Sequence, residues 1–164
     1  MKVKEIMTSN PKACTPATTL AEAALLMWDG DCGVLPIVTD GRKVVGLITD
    51  RDICMATATK YCSPADIAVE EVSSGNVYSV TADDDVRKAL ETMKEHKVRR
   101  LPVVDADETL IGVLSMNDVV LQAQDASEKK ATAIPYTDVV KTYKAICEHR
   151  PDAQNVQAAA AAGS

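Results

Sequence analysis

The 164-residue sequence has no phenylalanine, and aromatic residues make up 3% of it. Its core must therefore be aliphatic, built from Val, Ile, Leu, Met and Ala. It also lacks a basic excess. The formal net charge is −6, whereas nucleic-acid binders carry a basic face because phosphate neutralisation dominates their affinity; a nucleic-acid partner is not expected. No apolar run approaches the length of a membrane span, and Met1-Lys2-Val3-Lys4-Glu5 reaches an acid before any signal-like apolar stretch. Neither membrane insertion nor secretion is expected. The cysteines, Cys14, Cys32, Cys54, Cys62 and Cys147, are odd in number and form no CxxC pair, which fits reduced thiols in a cytoplasm better than a disulfide framework. His96 and His149 lie far apart and form no metal-ligand pattern. There is no P-loop, no GxGxxG and no nucleophile–base signature, so the sequence offers no catalytic mechanism and no resident cofactor to build on.

What is present is a soluble globular balance, with 46% hydrophobic and 26% charged residues, and an internal repeat. Displaced by 66 positions, Val3 meets Val69, Glu5 meets Glu71, Ala23 meets Ala89 and Met27 meets Met93. Leu35-Pro36 meets Leu101-Pro102, Gly46 meets Gly112 and Asp52 meets Asp118, without a gap. A fixed offset of this length indicates two copies of one structural unit. Two copies are too few for a solenoid, so their apolar faces are expected to pair in a pseudo-two-fold module.

Each copy reads β-α-β-β-α. Short apolar stretches at Ala13–Thr15 and Val77–Thr81 precede helices near Leu20–Trp28 and Val86–His96. Thr19-x-x-Glu22 is a capping box, and Asp83-Asp84-Asp85 places negative charge at the second helix start, where the helix dipole favours it. Hairpin strands follow at Val34–Val38 with Val44–Thr49, and at Leu101–Val104 with Leu110–Ser115. Helices near Arg51–Ala58 and Asn117–Gln124 close the copies. The fold class is α+β.

Gly33-Val34-Leu35-Pro36-Ile37-Val38 and Val98-Arg99-Arg100-Leu101-Pro102-Val103-Val104 resemble the middle strand of a CBS domain. Val45-Gly46-Leu47-Ile48-Thr49-Asp50-Arg51-Asp52 and Ile111-Gly112-Val113-Leu114-Ser115-Met116-Asn117-Asp118 resemble its closing strand-to-helix turn. The resemblance divides the chain into repeat 1 (1–65), repeat 2 (66–125), a linker with a C-terminal helix (126–150) and a tail expected to be disordered (151–164). It implies a Bateman module, in which paired repeats form clefts for adenine nucleotides or other adenosyl ligands and often dimerise. Because no effector domain is attached, its output would go to a partner protein in trans.

Ribose recognition needs acceptors for two vicinal hydroxyls, and a carboxylate supplies charge-assisted bonds. The resemblance assigns that role to Asp52 and Asp118 within Gly46…Thr49-x-x-Asp52 and Gly112…Ser115-x-x-Asp118, the glycines allowing close ligand approach. The same residues read equally as capping boxes, and the two roles are compatible. Phosphates need cations, for which His96, Lys97, Arg99 and Arg100 are candidates, Arg offering a planar fork. Asp31, Gly33 and Val34 stand opposite Lys97, Arg99 and Arg100 in repeat 1, so one strong cleft is expected rather than two equal ones. By family position, Cys14 and Thr15, with Tyr78, Ser79 and Val80, are candidates for the adenine edge, and Val34, Pro36, Val98 and Pro102 for its walls.

Val139, Val140, Tyr143, Ile146 and Cys147 predict an amphipathic helix over Tyr136–His149, with docking inside a homodimer as the first expectation. Two functional readings stand: a cytoplasmic, non-catalytic adenine-nucleotide sensor, and a ligand-free, stress-related dimerisation or docking module.

Overall fold

The computed structural model describes residues 1–73, 76–125 and 133–148. In chain order the elements are β1 (Thr8–Ser9), α1 (Leu20–Asp29), β2 (Val34–Val38), β3 (Val44–Thr49) and α2 (Asp50–Thr59). They continue with β4 (Val80–Thr81), α3 (Val86–His96), β5 (Arg100–Val104), β6 (Leu110–Ser115) and α4 (Met116–Gln122). The chain then forms β7 (Ala123–Gln124), β8 (Ile134–Pro135) and α5 (Tyr136–Cys147). The sequence-level β-α-β-β-α order holds twice. The opening strand of repeat 1 narrows to a single parallel bridge, Cys14 to Ile37.

Local chemistry sets the helix starts. Thr19 Oγ1 accepts from the Glu22 amide at 3.2 Å, and Glu22 accepts from the Thr19 amide at 2.9 Å, a reciprocal box whose backbone bond holds the Glu22 carboxyl below its usual range. The three aspartates before α3 divide their work. Asp85 caps the helix by accepting from the Arg87 amide at 2.9 Å. Asp84 accepts from the Thr81 amide at 2.8 Å and pairs with Lys88. Asp83 receives Lys4 Nζ at 2.8 Å and Lys2 Nζ at 2.9 Å, and those bonds lower its pKa to about 2.

The lysine contacts point to an exchange between the repeats. Val3 is fully buried among Val80, Val86, Leu101 and Leu114, in the core of repeat 2. Val69 is fully buried among Leu20, Leu35 and Ile48, in the core of repeat 1. The backbone bonds are reciprocal under the 66-residue offset. The Val3 amide donates to Asp84 O at 2.9 Å, and that of Val69 to Thr18 O at 2.8 Å; Lys4 bonds Ala82 O as Glu70 bonds Pro16 O. Each repeat therefore lends its opening segment to the other. β1 extends the arm as an edge strand on β6, giving the sheet order β1-β6-β5-β4. The antiparallel bridge Lys43–Thr109 joins offset-equivalent positions and so lies on the pseudo-two-fold axis.

The C-terminal helix corrects the homodimer-docking expectation. α5 packs on its own chain against α3, where Val139 and Thr142 are buried and Tyr143 and Ile146 are half-buried. The stripe is shifted from the expected one, since Val140 is 56% exposed and Cys147 is also exposed. Fully buried Thr142 replaces an apolar residue, its hydroxyl satisfied by donation to Asp138 O at 2.9 Å. His149 and the 151–164 tail lie outside the described residues.

Candidate functional site

β3 and β6 each end in a residue that caps the following helix. Asp52 Oδ2 accepts from the Thr49 amide at 2.9 Å and the Thr49 hydroxyl at 2.7 Å, and the Asp52 amide donates to Thr49 Oγ1 at 3.2 Å. Asp118 Oδ2 repeats this, receiving the Ser115 amide at 2.7 Å and its hydroxyl at 2.6 Å. In both, Oδ1 makes no hydrogen bond among the described residues. One carboxylate oxygen caps, and its twin remains available as an acceptor.

These turns open onto two cavities, each assembled from both repeats. The first, about 200 Å³, places Thr49 and Asp52 of repeat 1 opposite Tyr78, Val98, Arg99 and Arg100 of repeat 2, with Val34, Leu47 and Asn76 completing its wall. The second, about 280 Å³, places Ser115 and Asp118 of repeat 2 opposite Lys12, Asp31, Cys32, Gly33 and Val34 of repeat 1. The offset maps one onto the other: Thr49 to Ser115, Asp52 to Asp118, Leu47 to Val113, Lys12 to Tyr78 and Gly33-Val34 to Arg99-Arg100. The two clefts are pseudo-symmetric in shape and unlike in charge. Neither the Arg99 nor the Arg100 guanidinium makes an ion pair or hydrogen bond among the described residues.

The remaining sequence candidates lie elsewhere. His96 stands behind the first cleft, stacked on Tyr78 with ring centroids 3.6 Å apart and planes 7° from parallel. It braces the Tyr78 ring instead of lining the cavity. Lys97 turns to the end of α5, donating to Glu148 O at 3.3 Å. Gly46 lies against Ile37, and a methyl group added to Gly112 would meet Met7 Sδ at 2.6 Å and Thr8 O at 3.1 Å. The Gly112 position serves the close approach of the exchanged arm. Cys14, Val80, Pro36 and Pro102 are buried in strands or core and line neither cavity. Burial raises the Cys14 thiol to about 11. The sequence reading missed Lys12, Leu47, Asn76 and Asn117 as lining residues. Applying the offset to Tyr78 would have found Lys12.

Comparison with known proteins places this geometry. The family model described as "CBS domain" matches residues 3–58 and again 69–124. The chain belongs to the CBS-domain family. As a CBS pair it is 30% identical over 144 residues to hypoxic response protein 1 of Mycobacterium tuberculosis, covering 88% of this chain and 92% of that protein. The CBS domain pair of MJ0100, solved with 5′-methylthioadenosine and S-adenosyl-L-methionine, superposes with a TM-score of 0.68 at 27% identity, covering 74% of this chain and 94% of that one. CBSX2, solved with AMP, superposes with a TM-score of 0.62 at 27% identity, covering 73% and 93%. The shared architecture is that of a regulatory ligand-binding module. Among the described residues no helix is long and apolar enough to cross a membrane, and no three His, Cys, Asp or Glu side chains group to hold a metal ion.

Proposed function

We propose that this CBS pair is a non-catalytic, cytoplasmic sensor that binds an adenine nucleotide in the cleft between Thr49–Asp52 and Arg99–Arg100 and reports occupancy to a partner protein in trans. The observation that carries this reading is the first cleft itself. A carboxylate with one unbonded oxygen faces two unpaired guanidinium groups across a cavity of about 200 Å³. Ribose hydroxyls suit the carboxylate, phosphate oxygens suit the arginine forks, and Val34, Val98 and the braced Tyr78 ring offer apolar walls for a base. Binding that spans both repeats favours one inter-repeat arrangement, which is what a population shift requires. The AMP and S-adenosylmethionine complexes of related CBS pairs support the ligand class, and the unpaired thiols suit a reducing compartment.

Thermal unfolding with and without nucleotide tests the proposal. AMP, ADP or ATP at a hundred times its dissociation constant should stabilise the fold by about 2.7 kcal/mol, raising the midpoint by about 5–10 °C. No shift with any adenosyl compound would leave the docking-module reading in its place.

A homodimer belongs to the same proposal. Leu25, Trp28 and Met55 on α1 and α2 are 60%, 84% and 51% exposed. Trp28 also lines a further cavity of about 410 Å³ together with Met27 and Ile53, whereas α5 covers α3 in repeat 2. An apolar patch centred on Trp fits an interface anchor. Sedimentation should give a dimer for the wild type and a monomer for Trp28→Glu; a wild-type monomer at high micromolar concentration would rule the interface out.

A further inference from the structure

Resting on the nucleotide reading above, we propose that the two clefts compete for a single guanidinium, that of Arg100, so that each chain holds one phosphorylated ligand at a time and the second cleft accepts an uncharged or cationic nucleoside. Arg100 lines both cavities. Its position is at their boundary: a methyl group placed on Gly33, a residue of the second cleft, would lie 3.4 Å from Arg100 Nη2. The same methyl group would meet Asp50 Oδ2 at 2.7 Å, so the Asp50 carboxylate needs the space at Gly33, and the guanidinium of the opposite repeat lies beside it at ordinary contact distance. The offset-equivalent of Arg100 is Val34, which also touches both cavities and carries no charge to share.

The remaining charges make the competition unequal. The first cleft holds Arg99 beside Arg100 and sets them against Asp52 alone. The second holds Lys12 beside the same Arg100 and sets them against both Asp31 and Asp118. With Arg100 committed to a phosphate in the first cleft, the second is left with one formal cation against two carboxylates. A second phosphate is repelled there, while a neutral or positively charged adenosyl group meets no such opposition. Asp31 is the residue that changes the sign, since its offset-equivalent is Lys97. Both adopt the left-handed backbone region, with φ of 46° and 53°, so Asp31→Lys places a lysine in a backbone conformation that Lys97 already adopts.

Calorimetric titration of the full chain with AMP and with adenosine tests the coupling. For the wild type the expected result is one AMP per chain, any second site at least tenfold weaker, and two adenosines per chain of comparable affinity. Asp52→Asn should weaken the AMP site at least tenfold, and Asp118→Asn should leave it within about threefold. Asp31→Lys should bring the second AMP site to within about tenfold of the first. Two equal AMP sites in the wild type, or a single AMP site persisting in Asp31→Lys, would overturn the coupling and leave the nucleotide reading intact. Binding of neither probe would overturn both.

Discussion

Val3→Asp is expected to destabilise the protein by about 3–5 kcal/mol, combining the lost burial of a Val side chain with the desolvation of a carboxyl that finds no partner. That is a large share of an ordinary domain's stability of about 5–15 kcal/mol. The location of the damage is the more informative result. Val3 belongs by sequence to repeat 1, yet it packs on Val86, Leu101 and Leu114 of repeat 2. Hydrogen exchange in the variant should accelerate first in β5, β6 and α3, with β2 and β3 following only on global unfolding. The reciprocal variant, Val69→Asp, should open β2, β3 and α1 first, because Val69 packs on Leu20, Leu35 and Ile48. Faster exchange confined to β2 and β3 in Val3→Asp would contradict the arm exchange.

The second large effect concerns the ligand. Removing Arg99 and Arg100 together, by Arg99→Ala with Arg100→Ala, is expected to weaken AMP binding at least a hundredfold. Each charge-assisted bond contributes about 1.5–3 kcal/mol, so even partial overlap of the two contributions reaches that figure. Adenosine affinity should change less than threefold, because the nucleoside offers no phosphate to the forks. This contrast separates loss of a phosphate contact from loss of the fold, since a damaged cleft would reject both ligands. Both side chains reach the cleft surface and make no internal ion pair, so their removal should leave the unliganded melting temperature nearly unchanged. Equal loss of AMP and adenosine binding would reassign the arginines to a structural role.

The basic cluster illustrates where residue type and residue role part company. His96, Lys97, Arg99 and Arg100 form one run in sequence, yet the left-handed residue that ends α3, Lys97 at φ 53°, sends them in different directions. Lys97 meets the end of α5, His96 lies flat on Tyr78, and the two arginines face repeat 1. A run of cations predicts an anion site nearby; it does not say which members of the run line it.

The sequence by itself determined the local architecture. Helix starts at Thr19, Asp85, Thr49 and Ser115, and the strand spans Val34–Val38 and Val44–Thr49, follow from capping chemistry and apolar periodicity. Both signals are read within a few residues and need no distant contact. The 66-residue offset likewise fixed the doubling and its pseudo-symmetry, and the CBS resemblance followed from the same motifs. Only the tertiary structure decided which copy each segment serves. The exchange of the Val3 and Val69 arms, the pairing of Asp52 with the arginines of the other repeat and the seating of α5 on α3 are choices between chemically similar apolar surfaces. Two repeats with the same apolar pattern offer each arm two acceptable cores, and no local pattern distinguishes them. Chain length between elements and the packing of the assembled module make that selection, and with it they place Arg100 at the boundary of both clefts.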